Sequence, residues 1–189
     1  MTSLDELVLR IGPDRPGRRV VAIDGPSGSG KSTLAARLSA RVPGSVVVGT
    51  DDFCSWADPV GATWWDRFET QVLGPAFAGR AFRYQLRDWA SDEFGSALAG
   101  WREVPASPLV IVEGVTCARA SVRARQAFTV WVEAPPDLRL ARGLRRDGED
   151  HRELWLRWMA AEDRFFVGDR TKASADVRLV GSTDDVEVP

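Results

Sequence analysis

Short, nearly unbroken apolar runs alternate with amphipathic stretches along most of the chain. Val20-Val21-Ala22-Ile23, Val46-Val47-Val48, Leu109-Val110-Ile111-Val112, Phe128-Thr129-Val130-Trp131-Val132 and Val177-Arg178-Leu179-Val180 are too short for helices. Mostly lacking a polar alternation, they read as strands covered on both faces. Between them apolar residues recur every three or four positions. Leu4, Leu7, Val8 and Ile11 form one such stripe, with Thr2 or Ser3 as its cap. Leu34 and Leu38 begin a second, and Trp64, Trp65, Phe68, Val72 and Leu73 a third within a loop and helix over 58–79. Leu138, Ala141 and Leu144 carry a fourth, and Trp155, Trp158, Met159, Phe165 and Phe166 a fifth, read as core. Gly12 to Gly17, Pro43-Gly44 and Asp147 to Asp150 are turns or loops. Phe82 to Asp88 reads as an excursion strand or extended loop, and Trp101 to Pro108 as a connector. The alternation predicts an α/β fold: a mostly parallel five-stranded sheet between two helical layers. It predicts one domain over 1–189, with an insert at about 54–104, a short arginine-bearing segment at about 139–153 and a frayed polar tail.

The turn after the first strand changes this from a fold to a chemistry. Gly25-Pro26-Ser27-Gly28-Ser29-Gly30-Lys31-Ser32 matches G-x-x-x-x-G-K-[ST], the phosphate loop of P-loop NTPases. A strand precedes it and a helix follows, which is the context the motif requires. Gly25, Gly28 and Gly30 let the backbone approach a phosphate, and the amides of Ser27, Ser29 and Thr33 belong to the same cradle. Lys31 can reach the β- and γ-phosphates of ATP, and the Ser32 hydroxyl can ligate Mg²⁺.

Composition narrows the remaining classes. Net charge is −2, which argues against a general nucleic-acid or anionic-membrane binder. Lysine occurs at Lys31 and Lys172 alone, so a lysine in the loop stands out from an arginine-rich background. Two cysteines, Cys54 and Cys117, and one histidine do not make a four-ligand zinc site or a disulfide framework. Met1 to Arg10 lacks the long apolar run of a secretory leader, and no window has the length of a membrane span. The expectation is a cytoplasmic protein with a small-molecule acceptor; a homo-oligomer is left open.

Ligands of open α/β sheets bind beyond the carboxyl ends of the strands, and three such ends carry acid. Glu113 suits a magnesium role and Asp51 a base that takes a proton from an attacking hydroxyl. Asp52 is a rival to Asp51 for that role, and Asp24 stands behind both. Arg139, Arg142, Arg145 and Arg146 share one predicted helix. The bland reading is a solvated face. The sharper one puts Arg142 and Arg146 on transferring phosphate as a mobile lid. His151 reads as exposed and incidental. Trp64, Trp65 and Trp89 read as core or as a wall for a flat ring.

With these residues in place, the chain resembles the uridine kinase-like branch of P-loop kinases. The matching elements are Ile23-Asp24-Gly25 to Thr33, Asp51-Asp52-Phe53, Asp66, Gly79 leading to Asp88-Trp89, Glu113-Gly114 and Arg142-Gly143-Leu144-Arg145-Arg146-Asp147. The resemblance implies transfer of the ATP γ-phosphate to a primary hydroxyl, with Asp51 as base, Asp66 on a sugar diol and Asp88 in the substrate loop. The chain departs from the uridine–cytidine kinases at Arg87 and Asp92, where they carry tyrosine and histidine near the base, and at Cys54, often tyrosine. Arg87 and Asp92 would equally suit a charged acceptor. A kinase for another metabolite and a non-catalytic nucleotide switch are the alternatives. The second has no need of a base such as Asp51, and a GTPase would carry an Asn-Lys-x-Asp element that is missing here.

Overall fold

The computed structural model describes residues 4–12 and 20–181. The expected cap at Thr2 or Ser3, most of the first loop and the tail from 182 lie outside the described residues. Strands β1 (Val20–Asp24), β2 (Val46–Gly49), β5 (Val110–Glu113), β6 (Phe128–Glu133) and β7 (Val177–Val180) form one sheet in the order β2-β5-β1-β6-β7. Every pairing in it is parallel.

Alternate residues of the central strands face opposite cores, so a strand needs apolar residues at every position. Val21 and Ile23 of β1 join Ile111, Val130 and Val132 under α1 (Leu4–Ile11) and α2 (Lys31–Arg41). Val20 and Ala22 join Val110 and Val112 against Phe53, Trp64, Phe68 and Tyr84 on the other face. The three layers are therefore visible in the division of one strand between two cores. Among the described residues, no helix is long and apolar enough to cross a membrane.

The insert departs from expectation in detail. Its helical part is broken into α3 (Trp65–Phe68), a π-helical turn (Glu69–Leu73) and α4 (Gly74–Phe77). Pro75 supplies no amide to the regular ladder, which accounts for the irregularity beside it. Phe82–Arg87 is a true strand, β3, and its partner β4 (Leu98–Val104) takes up half of what reads as a connector. β4 is largely exposed, so it lacks the apolar signal that marks a covered strand. A short α5 (Ala120–Arg123), with no periodic run to announce it, precedes β6. Helices α6 (Pro136–Asp147) and α7 (Arg152–Asp169) are joined by a 3₁₀ turn over Glu149–His151, and α8 (Thr171–Ser174) leads into β7.

Candidate active site

β1 ends at the phosphate loop, which turns directly into α2. A Cβ on Gly28, whose φ is +76°, would sit 2.7 Å from the carbonyl oxygen of Arg139. That close approach fixes the first turn of α6 against the loop. Lys31 is buried and donates from Nζ to the Pro26 carbonyl at 3.0 Å, so it folds back over the loop. Ser32 Oγ donates to Glu113 Oε1 at 3.1 Å. Parallel pairing of β1 with β5 brings Glu113 to this position, because Ile23 and Glu113 are register partners.

Burial pushes the Glu113 carboxyl up to about 7; Lys31 opposes that rise and Asp51 adds to it. A hydroxyl beside a carboxylate whose charge burial disfavours fits a divalent cation, which would favour that charge. Among the described residues no group of three or more His, Cys, Asp or Glu could hold one alone. A magnesium ion here would share its shell with nucleotide phosphates, as this cation usually does.

Asp24 belongs to the framework. It is fully buried and accepts the amides of Gly25, Thr116 and Ala118 at 2.7–2.9 Å. Its burial raises its pKa to about 6 against the pull of those bonds. Asp24 thereby ties the segment after β5 to the start of the phosphate loop. Asp52 is likewise engaged, accepting the Tyr84 hydroxyl at 2.7 Å with Arg102 at 3.7 Å. Its neighbour Asp51 is exposed and lines the cavity.

That cavity, of about 600 Å³, runs from the phosphate loop into the insert. It brings together Ser27, Gly28, Gly30, Lys31, Ser32 and Thr33 with Asp51, Glu113, Arg142 and Arg146. Gly25 and Ser29 are buried beneath it rather than on its wall. Arg142 Nη1 donates to the Gly28 carbonyl at 3.0 Å. Arg146 donates to both oxygens of Asp147 at 2.8 and 3.1 Å and lies over the Trp155 ring.

The aromatic part of the cavity is lined by Trp56, Trp89, Trp155, Trp158 and His151, with Glu93 beside them. Trp56 sits at its centre, edge-on or nearly so to Trp89, Trp155 and Trp158, and tilted on the His151 ring at 5.6 Å. Trp89 Nε1 donates to the Asp51 carbonyl at 2.8 Å, which ties this wall to the expected base.

Several expected acceptor residues are elsewhere. The Arg87 guanidinium is buried and holds the carbonyls of Asp88, Ala97 and Asp92, closing the base of the β3–β4 loop. Asp88 accepts the Ser91 amide, and Asp92 accepts those of Gly95 and Ala97. Both are turn carboxylates, held below their ordinary range chiefly by hydrogen bonds, to Ser91 for Asp88 and to the Ala97 and Gly95 amides for Asp92. Asp66 is exposed on α3 and is not on the cavity wall. Trp64 and Trp65 are core. His151, expected to be incidental, lines the cavity and stands 3.9 Å from Glu93.

The residues that sequence reasoning missed come mostly from α7 and the insert. Trp56 and Glu93 lie in stretches with no motif. Glu162 follows Trp158 by one helical turn and is fully buried; its acid character inside an apolar stripe was the available signal.

A sequence profile of the AAA domain family matches residues 21–164. No curated protein matches the chain by sequence. Among solved structures, one described as a possible uridine kinase from Bacillus stearothermophilus is 23% identical, with TM-score 0.65, covering 92% of this chain and 98% of that one. D-glycerate 3-kinase from Cryptococcus neoformans is 11% identical with TM-score 0.71, covering 94% and 93%. Phosphoribulokinase from Rhodobacter spheroides is 13% identical with TM-score 0.59, covering 92% and 75%. At these identities the likeness is one of fold.

Proposed function

We propose, for a chain that belongs to the AAA domain family and has the fold of P-loop small-molecule kinases, transfer of the ATP γ-phosphate to a hydroxyl of a small, ring-bearing acceptor. The observation that carries this reading is the meeting of Lys31, the Ser32–Glu113 pair and Asp51 in one cavity. A protein that only bound nucleotide would have no use for an exposed carboxylate on the acceptor side of the phosphate loop.

The loop amides beyond Ser27, together with Lys31, hold the β- and γ-phosphates. Arg142 and Arg146, which line the same cavity, would neutralise charge on the transferring group. Ser32 and Glu113 would hold magnesium, which neutralises phosphate charge when bound. Asp51 accepts the proton of the acceptor hydroxyl as its oxygen bonds to the γ-phosphorus and the β–γ bridging bond breaks, leaving ADP.

The acceptor end favours a neutral, planar partner such as a nucleoside. Four indoles contribute to its lining, and a planar ring stacked on one of them would gain roughly 1–3 kcal/mol. Arg87, the cation that would suit an anionic acceptor, is spent on hairpin carbonyls, and Arg146 is matched by Asp147. That sets this cleft apart from what an acidic or phosphorylated acceptor requires. The test is ADP release from ATP and Mg²⁺ against nucleosides, nucleoside monophosphates, sugars, glycerate and pantothenate. Turnover with nucleosides above the anionic compounds is expected; turnover confined to anionic acceptors overturns the acceptor assignment.

A further inference from the structure

Glu162 has no part in the chemistry above, yet like Asp24 it is an acid fully buried beside the phosphate loop. Its carboxylate accepts the Ser27 amide at 3.0 and 3.1 Å, the Ser27 hydroxyl at 2.5 Å and the Trp158 indole N–H at 2.5 Å. The same indole N–H lies 3.0 Å from Ser27 Oγ. The Nη1 of Arg139, also buried, is 3.8 Å away, and the Arg139 Nε has no hydrogen-bond partner among the described residues. Burial raises the Glu162 pKa, while Lys31 and the bonds from Ser27 and Trp158 pull it down.

Two consequences follow from this geometry. The Ser27 amide is taken by α7, so it is fixed in direction and does not float with the rest of the cradle. Trp158 has two roles at once: one edge is bonded to the phosphate loop, and its ring lines the acceptor cavity 5.1 Å from Trp56.

We propose that Glu162 is a positioning residue for the phosphate loop and that Trp158 couples the acceptor wall to that loop through Ser27. The proposal rests on the kinase reading of the same cavity. A buried carboxylate with three donors accounts for why an acid is tolerated inside an apolar helix face. In Glu162→Gln one carboxylate oxygen becomes an amide NH₂, so a buried donor on Ser27 or Trp158 is left facing another donor, and Arg139 loses its counter-charge.

The experiment measures ADP affinity by calorimetry in the wild type, Glu162→Gln, Ser27→Ala and Trp158→Phe, with thermal melting alongside. It also follows the Trp158 indole N–H resonance in ¹⁵N-labelled protein, assigned by its loss in Trp158→Phe. Glu162→Gln is expected to weaken ADP about tenfold, and Ser27→Ala and Trp158→Phe each by about threefold, as the loss of a charged and of a neutral bond would. The Trp158 resonance is expected to move on ADP addition in the wild type and to stay still in Glu162→Gln. Should Glu162→Gln not fold, Ser27→Ala and the wild-type resonance decide. ADP affinities within twofold of wild type in every folded variant, or a resonance that ADP leaves in place, overturn the proposal. Failure of the wild type to bind ADP at all would instead sink the phosphate-loop reading on which it stands.

Discussion

At the phosphate-loop end of the cleft most of the lining is one contiguous run, Ser27 to Thr33, met by Glu113 and Arg142. At the acceptor end the wall is made of side chains drawn from the insert and from α7, separated by about a hundred residues. The first end is a contiguous loop held by close backbone contacts to later segments, with Gly28 seated against Arg139 and Asp24 gathering three amides. The second depends on the packing of three indoles and one imidazole around Trp56. Damage to the first should therefore abolish turnover, whereas damage to the second should grade it.

The largest effect is expected from Lys31→Ala, which should bring ADP release below detection in a coupled assay. Persisting turnover would show that the phosphate end is not where ATP sits. Asp51→Asn is next. It should lower kcat by roughly 10²–10⁴ while ADP affinity stays near wild type, because a general base serves the transfer and not nucleotide binding. A loss of ADP affinity as large as the loss of kcat would place Asp51 with the phosphate end instead.

Glu113 gives the two-ended picture a pH signature. Its folded pKa of about 7 lies above the ordinary 4.5, so the folded chain keeps a proton that the unfolded chain has released. Stability without nucleotide or metal should fall as pH climbs from about 4.5 to about 7, and then level off. Glu113→Gln should remove that part of the slope, on the order of 2 kcal/mol between about pH 5 and about pH 8 in thermal melting. Asp24, raised to about 6, leaves a residual slope of the same sign at lower pH. An unchanged profile in the variant would show that Glu113 is not strained by burial.

Smaller effects sharpen the acceptor end. Trp89→Phe keeps an aromatic wall but loses the bond to the Asp51 carbonyl, so kcat should fall about fivefold, the worth of one neutral hydrogen bond. Asp66→Asn should change kcat/KM by less than about twofold, as befits an exposed helix position away from the cavity. A tenfold loss there would return Asp66 to the acceptor.

The same contrast explains what could be read from the chain. The phosphate loop was legible because its chemistry demands contiguous residues, and the sheet because strands covered on both faces tolerate few polar positions. Glu113 and Asp51 were legible as acids at strand ends. Asp88 looks like a substrate residue by resemblance, and Arg87 and Asp92, where the chain departs from the uridine–cytidine kinases, look suited to a charged acceptor, but nothing local distinguishes a side chain on a substrate from one that closes a turn. β4 escaped because an exposed hairpin strand carries little hydrophobic pattern. His151 and Trp56 could not be placed, since only tertiary packing brings the 3₁₀ turn and the insert onto one wall.

The contact at Gly28 also bears on motion. The first turn of α6 has no space even for a methyl group between itself and the loop, and α7 is tethered at Ser27 further along. The two helices thus form a hairpin clamped at its base, whose other end, the turn over Glu149–His151, rests on the insert at Trp56 and Glu93. Any nucleotide-dependent swing should grow from Arg142 to Arg146 to His151, a gradient that paired spin labels at Arg145 and Asp150 against a fixed point on α2 can measure.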